Sequence, residues 1–210
     1  MVKKVDISQR KAAKRPEIDP KLLLEAAISV ERDLSILTGP ELVSKYTSDS
    51  AGLVFQHVVG KPVVEVAIDH NPFWHYGLQT WYKKPQYRAL LHPPRHRDEV
   101  AKTVLRMALG ELDAYDGIHH EYPRRALKSF FMKMAADWLP KRHKIADNLD
   151  ILILYSHNLE RRAFGTLDSI KHMNRHNAYV RRHFGEGCLT VTGKPANFAL
   201  PLGEWGEKAQ

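Results

Sequence analysis

Along residues 21–37 the apolar positions Leu23, Ala27, Val30, Leu34 and Leu37 recur at the spacing that lines one face of an α-helix. Asp19 and Pro20 provide a start, since an aspartate caps free amides and proline is tolerated at the first helical position. Thr38-Gly39-Pro40 provides an end, and a short second helix is expected over 41–46. From residue 53 the pattern changes. LVFQHVV (53–59) and PVVEVAI (62–68), separated by Gly60-Lys61, are rich in β-branched residues and predict a β-hairpin with Pro62 at a strand start. Helical spacing returns over 97–115, where Val100, Val104, Met107, Ala108 and Leu112 form a stripe behind Asp98 and Glu99. It recurs over 123–139, where Leu127, Phe130, Phe131, Met134, Ala135 and Trp138 make a wide apolar face that Pro140 is expected to end, and again over 166–184. The short, almost continuously apolar run LDILILYSH (149–157) predicts a buried strand, and CLTVTG (188–193) another. The expected fold is therefore a single α+β domain over 19–203, a hairpin or small mixed sheet packed on about four helices. A flexible basic arm (1–18) precedes it and a tail (204–210) follows.

Composition narrows the class. With 210 residues, 43% of them hydrophobic, the chain is long enough to bury a proper core. Cys188 is the only cysteine, which excludes an intrachain disulfide and a cysteine-based zinc site. No run approaches the ~20 apolar residues that cross a bilayer, and the first residues lack the apolar core of a secretory leader. The expectation is a soluble protein of the cytoplasm or another reducing compartment, neither secreted nor membrane-spanning. Thirty-two Lys and Arg against 24 Asp and Glu leave a net charge of +8, which points to a polyanionic partner, nucleic acid above all, DNA or RNA alike.

Two stretches concentrate the chemistry that such a partner needs. In the first, Phe73, Trp74, Tyr76, Trp81, Tyr82 and Tyr87 alternate with His70, His75, Lys83, Lys84 and Arg88. Trp74 and Trp81 suit the core, whereas Tyr76, Tyr82 and Tyr87 are candidates to stack on bases beside phosphate contacts from Lys83, Lys84 and Arg88. In the second, a continuous helix over 166–184 would gather Lys171, Arg175, Tyr179 and Arg182 on one face, with His172, His176 and His183 adjoining. No acidic residue lies between Asp168 and Glu186, so this face carries cations alone. His172 and His176, one turn apart, could share a metal ion if a third ligand came from elsewhere.

A third constellation surrounds Asp69 and His70. The order of a strand, Asp-His, a loop and further histidines near a helix start resembles the His-Asn-His endonucleases. That resemblance implies Asp69 as a metal ligand, His70 as the general base, His92 or His96 as the distal metal ligand, and a divalent metal as cofactor. It covers about thirty residues, and the motif's central Asn, the helix-borne His and the bracing cysteine pairs are not in place. The run His172-Met173-Asn174-Arg175-His176 is superficially similar to the His-x-x-Arg box of tyrosine recombinases, but no tyrosine follows Tyr179. No phosphate-binding loop, nucleophile elbow or His-Glu-x-x-His helix is present. Three readings result. The first is a non-enzymatic nucleic-acid-binding protein without a cofactor. The others are a structural subunit of a virion or ribonucleoprotein assembly, docked on other protein subunits, and a metal-dependent nuclease.

Overall fold

The stretch 53–68, expected to form a hairpin, is helical. The computed structural model of the chain describes residues 20–82, 94–114, 128–149, 151, 160–185, 190–192 and 198–200. These form helices α1 (Pro20–Leu34), α2 (Gly39–Lys45), α3 (Asp49–Val59), α4 (Val63–Ala67) and α5 (Pro72–Gln79). Then come α6 (Pro94–Ala108), α7 (Lys128–Arg142), a π-helical turn (His143–Asp147), α8 (Glu160–His176) and α9 (Ala178–Phe184). The expected α+β class is thus corrected to an all-helical one, with nine α-helices among the described residues in place of about four and no sheet for them to pack on. Thr190–Thr192 pairs antiparallel with Phe198–Leu200, the one β pairing among the described residues and too short to form a layer.

Local capping explains the correction at 53–68. Ser48 accepts a hydrogen bond from the Ala51 amide to start α3, and Gly60, in the left-handed conformation at φ 82°, donates its N–H to the Gln56 carbonyl to end it. The Gly60-Lys61 pair is therefore a helix stop and not a hairpin turn. Strand preference of β-branched residues reflects fit to a half-buried pleated surface, and here Phe55 and Val63 find burial from helices instead. Thr38 opens α2 with a capping box: its side chain meets the Glu41 amide at 3.4 Å, while its own amide donates to Glu41 Oε2 at 2.7 Å.

Two apolar clusters hold the helices together. Val30, Leu34, Leu42, Tyr46, Phe55 and Val63 join α1 to α2, α3 and α4. The larger cluster unites Ile36 with Phe73, Tyr76, Trp81, Val104, Phe131, Met134, Trp138, Ile170, Val180 and Phe184, and half-buried Leu37 packs on both. The expected stripes of α1, α6 and α7 face these clusters through Val30, Leu34, Val104, Ala108, Phe131, Met134, Ala135 and Trp138, but Met107, expected in the α6 stripe, is 43% exposed. Pro140 does not stop α7. The helix runs on to Arg142, anchored past the proline by the buried, ion-paired Lys141 and Arg142. The arm 1–18, the tail 204–210, and all of the expected strand 149–157 except Leu149 and Ile151 lie outside the described residues.

A cationic surface over a buried polar network

The run 166–184 is two helices, not one. Asn177 interrupts it and caps α9, its side-chain oxygen accepting from the Tyr179 and Val180 amides at 2.9 and 3.1 Å. The break changes which residues face outward. Arg175 and Arg182 are exposed, as are His172 and His176, while Lys171 is partly covered and lies 3.6 Å from Asp168. Tyr179, expected beside them, is turned into the core. Its hydroxyl donates to the Glu31 carbonyl at 2.8 Å, so the 2.5 Å contact with Ser35 Oγ has the serine as donor. Burial pushes the Tyr179 hydroxyl well above the usual tyrosine range, with the Ser35 bond opposing and the Glu31 carboxylate assisting.

Beneath this surface Asp137 of α7, 1% exposed, forms a hub. Its Oδ2 accepts from the Tyr76 hydroxyl at 2.6 Å and the Trp81 indole at 3.0 Å. Its Oδ1 accepts from Lys141 at 2.5 Å and from the Asn174 amide at 2.7 Å. One carboxylate thereby ties α5 and the turn that follows it to α7 and α8. Lys141, 4% exposed, adds a bond to the Asp137 carbonyl at 2.8 Å, and its ammonium stands 5.5 Å from the Tyr76 ring centre. The four donors fill the carboxylate's acceptor capacity and leave it no free lone pair for substrate or metal.

The aromatic stretch belongs to this core. Tyr76 and Tyr82, expected at the surface, are 0% and 1% exposed; Trp81 is buried and Trp74 packs half-buried on Tyr82. Tyr87, Lys83, Lys84, Arg88 and His92 lie outside the described residues, and of His96 only the backbone, in α6, is described.

The strand required by the nuclease resemblance is the helix α4, so Asp69 and His70 do not end a strand. Asp69 is exposed, while His70 sits against the backbone of Leu34 and Leu37, and its Nε2 is buried without a hydrogen-bond partner. Burial holds the His70 imidazole below the ordinary histidine range, opposed by those two backbone contacts. His75, 6.0 Å away between ring centres, is pushed down to about 4 by burial and by the like charges of His70 and His183. His183 is also lowered by burial, although Nδ1 meets the Ile28 carbonyl at 3.1 Å and Nε2 meets Glu31 at 2.9 Å. Both neighbours are acceptors that only the imidazolium satisfies together. Among the described residues no three His, Cys, Asp or Glu side chains form a metal-sized group, and no helix is long and apolar enough to cross a membrane.

The residues that sequence reasoning missed are Asp137, Lys141 and Asn174. The signal was half present: Asp137 is a carboxylate on the widest apolar helix of the chain, but the expected stop at Pro140 placed Lys141 beyond its end. No family model matches the chain, and no curated protein or solved structure matches it either.

Proposed function

We propose that the protein binds nucleic acid without catalysis, holding phosphates through the exposed Arg175 and Arg182 with Lys171 at the margin of the same helix pair. One observation carries this reading: from Lys171 to Phe184 the exposed charges are cationic, while Asp168 and Glu31 face Lys171 and His183 and Asp137 is buried against Asn174. Cations also suit the C-terminal turns of α8 and α9, where they oppose the helix dipoles, so the arrangement costs the fold nothing while leaving guanidinium groups in water. Arginine presents the planar fork that matches phosphate geometry. Tyr179 takes no part because its hydroxyl is committed to Glu31 and Ser35. The net charge of +8 supplies long-range attraction.

The test is a fluorescence-anisotropy titration of single- and double-stranded oligonucleotides over a salt series. Replacing Lys171, Arg175 and Arg182 together by Ala should lower the slope of log K against log salt by about 2–3, at about 0.7–0.9 per lost phosphate contact. The fold should survive, because Arg175 and Arg182 are exposed and Lys171 is only partly covered, and surface substitutions of this kind fall within about 0.5 kcal/mol each. An unchanged slope in a folded triple variant would remove this surface from the interface.

A further inference from the structure

We propose that His172 and His176 form a bidentate surface site for a divalent late transition metal, with solvent completing the coordination shell. The two imidazoles lie one turn apart on α8, both exposed, with ring centres 4.5 Å apart and planes inclined by 42°. Metal–nitrogen bonds are about 2.0–2.1 Å, and a ring nitrogen stands about 1.1 Å from its ring centre. Two imidazoles on cis positions of one ion, about 90° apart, therefore have centres about 4.5 Å apart, whereas a tetrahedral angle needs about 5.1 Å. The observed separation fits the square-planar or octahedral geometry of Cu²⁺ and Ni²⁺ more closely than tetrahedral Zn²⁺.

The other close histidine pair fails the same test. His70 and His75 are 6.0 Å apart, which spreads the two bonds well beyond either angle, and burial disfavours the charged form of both rings. Asp168, one turn before His172, is engaged with Lys171. It also stands two turns from His176, too far along the axis to share one ion with it. The site thus supplies two ligands and leaves the remaining positions to water or to an anion. It is independent of the reading of Arg175 and Arg182 as phosphate contacts.

The experiment is a titration of the full chain with Ni²⁺ alone, followed by the histidine ring signals in a carbon–proton correlation spectrum. Octahedral Ni²⁺ is paramagnetic and broadens protons near it. The expected result is loss of the His172 and His176 ring signals before those of the other ten histidines. Cu²⁺ should displace Ni²⁺, as the order of divalent affinities requires. His172→Ala and His176→Ala should each weaken binding at least about tenfold, because the second imidazole acts as an intramolecular ligand at raised effective concentration. His57→Ala, which removes an exposed histidine of α3, should behave as the wild type. The proposal is overturned if other histidines broaden first, if either single variant binds as tightly as wild type, or if no signal responds to millimolar Ni²⁺. Both side chains are exposed, so a folded variant is expected in every arm.

Discussion

Removing the charge at Asp137 tests the reasoning about the buried network most directly. In Asp137→Asn the shape is kept, but Lys141, with a side chain 5% exposed, loses its only ion-pair partner among the described residues. Stranding one member of a buried pair costs about 3–5 kcal/mol. The amide adds a second fault. It offers one acceptor and two N–H groups to a site holding four donors, so either Tyr76 and Trp81 or Lys141 and Asn174 meet a donor instead of an acceptor. Each buried donor left unsatisfied costs about 1–3 kcal/mol, and the total of roughly 5 kcal/mol or more rivals the whole stability of a domain, about 5–15 kcal/mol. Urea unfolding at pH 7.5, followed through tryptophan emission, should find the variant unfolded or barely folded. Lys141→Met added to Asp137→Asn should recover about 3 kcal/mol, since the uncompensated charge is then gone. Lys141→Met alone should cost less than Asp137→Asn, because three donors still serve the carboxylate. Additive single and double variants, or an Asp137→Asn protein within about 1 kcal/mol of wild type, would refute the hub as an energetic centre.

Three further outcomes follow from burial and close packing. His75 titrates at about 4 in the folded chain against 6.5 unfolded, so its contribution is complete above pH 6.5 and is lost as pH falls towards 4. By pH 5 the wild type should have lost about 2 kcal/mol more than His75→Gln, as read from urea midpoints at pH 7.5 and 5, and parallel profiles would count against it. Gly39→Ala should destabilise by about 1–3 kcal/mol because the new methyl would stand 2.2 Å from the Ala67 carbonyl oxygen, forcing α2 off α4. Gly165→Ala, on the open side of α8 with nothing within 4 Å, should stabilise by up to about 1 kcal/mol, and calorimetry of the pair decides whether packing or propensity governs each site.

What could be read in advance depended on how far each signal had to reach along the chain. The stripes of α1 and α7 were legible because a 3.6-residue period records burial directly: Val30 and Leu34, and Phe131, Met134 and Trp138, all face the clusters. The stretch 53–68 misled because β-branched content is a local preference, and the caps at Ser48 and Gly60 together with burial of Phe55 and Val63 outweigh it. The same short-range limit governs the candidate site. Reading 166–184 as one continuous helix placed Tyr179 on the cationic face, but a single asparagine at 177 resets the rotation and sends that ring into the core. Its rotation is then fixed by Ser35 and Glu31, 144 and 148 residues earlier. Asp137 makes the point more sharply. A carboxylate on an apolar helix is visible in the sequence, yet whether it serves substrate or structure depends on Tyr76, Trp81 and Asn174 arriving from two other segments. Those three donors and Lys141 saturate it, which makes Asp137 part of the scaffold that holds α5, α7 and α8 together.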